Sequence, residues 1–111
     1  MDPDRRVTPR LSLHGTLAGE LSVLAPVSIR EIGPSGVRLD SAYPLLVDSV
    51  HDLRLHLEDD VIVVKGRVVH CQIANIGKDA VIYRAGLEFI DVPPHTKAAI
   101  DAYVLGLQYE R

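Results

Sequence analysis

Apolar and polar residues alternate along most of this chain, and that period of two predicts strands. Leu11, Leu13 and Leu17 alternate with Ser12, His14 and Thr16, which predicts a first strand. A second spans roughly residues 22–32, with Val23, Val27 and Ile29 as its apolar positions and Pro26 at a bulge or edge. The segment Glu31-Ile32-Gly33-Pro34-Ser35-Gly36 turns the chain tightly, and Val37-Arg38-Leu39 starts a third strand. Residues 41–52 carry Pro44 and polar breaks and read as a loop. Leu53-Arg54-Leu55-His56-Leu57 alternates cleanly, and Glu58-Asp59-Asp60 predicts a hairpin turn. Residues 61–73 then predict a long strand, with Gly66 marking a bend or bulge. Another turn follows over 74–79, around Asn75 and Gly77, and a last strand over 81–90 contains Gly86.

After Pro93-Pro94 the period changes. Ala99, Ile100, Tyr103, Val104 and Leu107 recur at helical spacing, predicting one terminal helix over about residues 95–108 with Thr96 as its N-cap. The Tyr103 and Leu107 stripe is expected to face the core. The fold class is therefore all-β with one C-terminal helix. About six short strands in 111 residues must curl to hide their edges, so a small antiparallel β-barrel is expected rather than an open sheet.

Composition narrows the chemistry. The 111 residues suffice for one domain, and 47% are hydrophobic, with no tryptophan and a single phenylalanine, Phe89. The core must be built from Val, Leu and Ile. The formal net charge of -3 argues against non-specific nucleic-acid binding, which is driven by phosphate neutralisation, and no nucleic-acid partner is expected. A single-strand-binding barrel would also need more exposed aromatic residues than four tyrosines and Phe89 supply. The lone Cys71 forbids an intrachain disulfide and is expected in the core; with no apolar leader and no span of about 20 apolar residues, the expectation is a cytoplasmic protein without membrane insertion.

Catalytic and metal signatures are missing from the sequence. The five histidines, His14, His51, His56, His70 and His95, show no close ligand spacing, and His14, His56 and His70 are expected to face solvent. No nucleophile elbow precedes a helix, and no glycine-rich phosphate loop opens one. Enzymatic activity, a metal and a cofactor are not expected.

What remains is a local basic cluster, Arg5-Arg6-Val7-Thr8-Pro9-Arg10, ahead of the glycine turn. Guanidinium is flat, always charged and carries five donors in a rigid fork. It grips phosphate through parallel bonds, and it stacks on a base or donates to guanine O6 and N7. In an extended segment residues four apart project to one side, so Arg6 and Arg10 can converge on one ligand. A basic patch in an acidic chain points to a small, planar, phosphorylated ligand. Gly36 is expected to supply a positive φ, Gly86 a strand kink or room for the ligand, and Arg30 and Arg84 are expected as ordinary exposed strand residues that can join the basic face.

Taken in order, these segments resemble the PilZ domain, a bacterial receptor for cyclic di-GMP. Arg6 and Arg10 match its paired arginines, and Arg5 supplies the additional one that often precedes them. Glu31, Gly33 and Gly36 fall on its second motif, Asp or Asn, then Ser, then Gly, where only the glycine matches strictly. Gly66-Arg67-Val68-Val69-His70 and Tyr83-Arg84-Ala85-Gly86-Leu87-Glu88-Phe89 also look like the family. The resemblance implies a flexible arm over residues 1–10 and a six-stranded antiparallel PilZ-type barrel with its helix over 11–111. It implies that Arg5, Arg6 and Arg10 clasp the phosphates and guanines of cyclic di-GMP, often bound as a stacked dimer. Glu31 and Gly33 would take the guanine-reading positions, with Ser35 as a substitute hydroxyl beside Gly36, and Gly86 near the ligand. Signalling would pass through an unidentified effector protein, since the chain shows no output domain. Motility, pilus assembly, exopolysaccharide synthesis and transcription are the processes such partners serve, and a monomer or homodimer is expected. The departures at Glu31 and Gly33 suggest an alternative: a degenerate PilZ adaptor, blind to nucleotide, that binds its partner constitutively.

Overall fold

The computed structural model describes residues 11–21, 25–58, 60–77 and 80–109. Six strands form, β1 (Leu11–Leu21), β2 (Ala25–Gly33), β3 (Gly36–Ser41), β4 (Val50–Leu57), β5 (Asp60–Ile76) and β6 (Val81–Ile90), followed by helix α1 (Pro94–Tyr109). The strands close into an antiparallel barrel in the order β1-β2-β3-β6-β5-β4. Alternation drives the closure. Ile29, Ile32, Val37, Leu39, Leu53, Leu55, Val68 and Leu87 are the inward positions of their strands and are all but completely buried. They leave the charged residues between them on the outer wall.

Helix α1 adds Ile100 and Val104 to the same core, with Tyr103 and Leu107 half-buried against it. It touches β1, β2 and β5. Because β2 and β5 lie on opposite sides of the barrel, the helix spans one mouth. Its start differs from the expectation at Thr96. Pro93 offers the first helical carbonyl, accepting from the Lys97 N–H at 2.9 Å, and Pro94 is the first helical residue, where a missing N–H costs nothing. Thr96 is buried in the first turn instead. Among the described residues no helix is long and apolar enough to cross a membrane.

Several strand details depart from the alternation pattern. β4 begins at Val50, inside the predicted loop, and β5 runs on to Ile76, past the predicted turn residues Ala74 and Asn75. Asn75 pairs with Ile82 and Ile76 with Val81, so β5 and β6 continue as a two-stranded ribbon. Gly66 is no bulge. It sits in regular register between His51 and Phe89, and its missing Cβ makes room for Leu87, whose Cδ2 would lie 3.0 Å away. The register shifts fall between Val68 and His70 and between Ile73 and Asn75. Pro26 sits at a local edge, as expected: it pairs with Glu20 of β1, and the β3 ladder starts only at Ser28. Cys71 is half-buried at the rim of the core and accepts a weak bond from the Leu45 N–H at 3.5 Å.

Candidate functional site

The outer wall of β2, β3, β6 and β5 gathers the chemistry. The hairpin between β2 and β3 has only Pro34 and Ser35 outside the Gly33–Gly36 pair, so flanking residues pair outward one by one: Ile32 with Val37, Glu31 with Arg38. The ladder continues from Arg38 to Gly86 on β6 and from Gly86 to His70 on β5. One row across the wall thus reads Glu31, Arg38, Gly86, His70. The Arg38 Nη1 donates to Glu31 Oε2 at 3.2 Å, with both side chains partly exposed. The Arg38 Nε is buried with no hydrogen-bond partner among the described residues.

His70 reaches across the row. A Cβ on Gly86 would lie 2.5 Å from its Nε2 and 3.0 Å from Cδ2 and Cε1, so the imidazole points its tip into the space that glycine leaves. Gly86 is a place of close approach, and the group that approaches is a side chain of this protein. The β5–β6 register shift between Val68 and His70 falls at the step from Leu87 to Gly86, so the expected irregularity is present beside this glycine, with the extra residue on β5.

A second row holds Ser28, Asp40, Arg84 and Gln72. Asp40 is mostly buried and accepts a fork from Arg84, Nε to Oδ1 at 2.8 Å and Nη2 to Oδ2 at 3.2 Å. Arg30 Nη1 approaches the same carboxylate at 3.5 Å. The Asp40 hydrogen bond holds the Arg84 pKa above its ordinary value, outweighing the burial that lowers it, and Glu31 adds to the rise from farther away. Arg30 and Arg84 are therefore more than exposed strand residues; they converge on one carboxylate.

A third row runs Gly33, Gly36, Glu88 and Arg67. Arg67 donates to Glu88 and, at 2.8 Å, to Asp48. The expectation of a positive φ at Gly36 fails, since no glycine among the described residues has one. Space is the reason for glycine here: a Cβ would stand 2.3 Å from the Leu87 carbonyl oxygen. The turn is pinned to β6 by the Phe89 N–H, which donates to the Ser35 carbonyl at 2.8 Å.

Glu31, Gly33, Ser35 and Gly36 thus lie together around one turn, Ser35 exposed at its tip and the two glycines buried. Gly86 lies on the same wall under His70. Arg5, Arg6 and Arg10 fall outside the described residues. The described chain begins at Leu11, which pairs with Ile32, the residue between Glu31 and Gly33. Three wall residues were not read as site residues in the sequence: Arg38, Asp40 and His70. A two-residue turn implies the pairing of Glu31 with Arg38, so that signal was available; the partner of Asp40 depends on the non-sequential β3–β6 pairing, and that of His70 on a β5–β6 register that shifts twice.

Elsewhere, His56 is half-buried and bonds Glu20 at 3.0 and 3.1 Å rather than facing solvent alone. No group of three or more His, Cys, Asp and Glu among the described residues is placed to hold a metal.

A family model described as PilZ domain matches residues 4–106. Solved structures share the fold. The PilZ domain with c-di-GMP of YcgR from Escherichia coli superposes with a TM-score of 0.75 at 16% identity, over 96% of this chain and 93% of that one. The K. pneumonia MrkH–c-di-GMP complex gives a TM-score of 0.77 at 22% identity, over 96% of this chain and 53% of that one. The Bacillus subtilis inhibitor of motility (MotI/DgrA) gives 0.76 at 18% identity, over 96% and 52%. This chain spans about half the length of the latter two. No curated protein matches the chain.

Proposed function

The chain belongs to the PilZ domain family, and from that premise we propose that it is a non-catalytic cyclic di-GMP receptor that signals through a partner protein. In this reading residues 1–10 are the ligand-clasping arm and 11–111 the receiving barrel. Arg5, Arg6 and Arg10 hold phosphates and guanines, while Glu31, Gly33, Ser35, Gly36 and Gly86 line the wall. One observation carries the reading: Leu11, the residue that follows Arg10 in the sequence, pairs with Ile32, between Glu31 and the Gly33–Gly36 turn. The solved c-di-GMP complexes of similar fold support it.

The departures weaken binding without removing its main source. Gly33 lacks the hydroxyl of the family serine, and one lost hydrogen bond costs roughly 0.5–1.5 kcal/mol, about two- to twelve-fold in affinity. The arginine–phosphate bonds are charge-assisted and about twice as strong as neutral ones. Calorimetric titration with cyclic di-GMP, repeated on Arg6→Ala and Arg10→Ala, tests the proposal. Binding by the wild type and a marked loss in both variants is expected. A wild type that shows neither heat nor a melting shift at high micromolar ligand refutes it.

A second reading, a nucleotide-blind adaptor with a constitutive partner, draws on the engagement of Glu31 by Arg38. The double change Glu31→Asp with Gly33→Ser separates the two. A receptor gains modestly in affinity, whereas an adaptor acquires binding it never had.

A further inference from the structure

The second family motif puts a carboxylate on the wall, and the fold puts a guanidinium against it. Guanine offers two donors, N1–H and N2–H, on one edge and two acceptors, O6 and N7, on the adjoining one. A carboxylate suits the first edge and an arginine fork the second. Glu31 and Arg38 already stand side by side, 3.2 Å apart, on neighbouring strands of the same row. On guanine the two edges also adjoin, with O6 between N1 and N7, so one base can meet both side chains while their mutual bond persists. The Arg38 side chain is 34% exposed, so part of the guanidinium faces out. Directly beyond Arg38 lies Gly86, whose missing Cβ keeps the wall low, with the movable tip of His70 above it.

We infer that Arg38 is a specificity-determining residue that takes O6 and N7 of a guanine whose N1–H and N2–H are taken by Glu31. The inference rests on the receptor reading and deepens it. Arg38 offsets what Gly33 cannot supply, because a bidentate contact discriminates more strongly than a single hydroxyl bond. Adenine reverses the pattern: it presents a donor at the O6 position, facing the guanidinium, and has no N1–H for Glu31.

The test compares cyclic di-GMP with its analogue built from 7-deazaguanine, which lacks N7, on wild type and Arg38→Met, by calorimetry. Loss of the bidentate contact is expected to weaken cyclic di-GMP binding by roughly 5- to 150-fold in Arg38→Met. The analogue is expected to bind the wild type more weakly than cyclic di-GMP, yet to bind Arg38→Met about as well as cyclic di-GMP does, because the second loss is already incurred in the first. Arg38→Lys keeps the charge and loses the fork, so it is expected to resemble Arg38→Met. Equal binding of both ligands by the wild type overturns the inference without any variant having to fold. So does undiminished binding by Arg38→Met, or losses that add in full, which would make Arg38 only a positioning residue for Glu31. Each of these leaves the receptor reading intact. A wild type blind to cyclic di-GMP overturns both.

Discussion

Two glycines on the site wall would each meet an atom within 2.5 Å if given a Cβ, yet their replacement by alanine should differ in cost. At Gly36 the obstacle is backbone, the Leu87 carbonyl oxygen at 2.3 Å, with Glu88 Cα at 3.2 Å behind it. Relief requires β3 to move away from β6. Overpacking of this kind costs about 1–3 kcal/mol. The same movement stretches the 2.8 Å bond from Phe89 N–H to the Ser35 carbonyl, about 0.5–1.5 kcal/mol more. Neither glycine has a positive φ, so alanine also recovers about 0.4–1 kcal/mol by restricting the unfolded chain. The net loss for Gly36→Ala is about 2 kcal/mol, or roughly 8–16 °C in melting temperature for a domain near this size. At Gly86 the obstacle is the tip of the His70 side chain, which a χ rotation clears. Gly86→Ala should therefore cost clearly less than Gly36→Ala, because a side chain yields where a backbone carbonyl does not. Thermal and urea unfolding followed by circular dichroism measure both. A Gly36→Ala protein melting within about 2 °C of wild type, or a Gly86→Ala protein falling as far as Gly36→Ala, refutes the distinction.

Other expectations follow from the same geometry. Asp40→Asn removes the charge shared by Arg84 and Arg30 and should cost about 1 kcal/mol in urea unfolding, a value that allows for partial solvent screening. Asp40 raises the Arg84 pKa, and a raised cation contributes stability fully below its ordinary value and loses it only as pH climbs through the raised one. The Asp40→Asn deficit should therefore be equal at about pH 7 and about pH 9, as paired denaturation curves will show. On α1, Ile100→Ala should destabilise by about 2–5 kcal/mol, whereas Leu105→Ala, half-exposed on the same helix, should fall within about 0.5 kcal/mol of wild type.

The strands whose alternation is strict were legible in the chain. Leu53 to Leu57 read as a strand because it buries every second residue, and the helix read clearly through Ile100 and Val104. Residues 74–76 misled because Asn75 has turn chemistry, while its actual partner, Ile82, lies across a ribbon that local pattern does not reveal. Gly36 and Gly66 misled for another reason. A glycine answers either a demand of φ or a demand for space, and the sequence states neither; here Leu87 sets the demand at both, through its carbonyl in one case and its side chain in the other. The candidate site divides along the same line. Glu31, Gly33 and Gly36 come from one contiguous hairpin and were named through the family resemblance. Asp40 meets Arg84 only because β3 and β6, separated by two strands in the chain, are neighbours in the barrel.

Asp40 ties together three strands: it sits on β3, takes the fork of Arg84 from β6 and draws Arg30 from β2. Those strands carry Glu31, Gly33, Gly36, Arg38 and Gly86. A surface cross-braced in this way resists deformation, so a molecule landing on it spends little of its binding free energy on shaping its seat. Under the receptor reading such a panel would serve as an anvil, the fixed half of the seat.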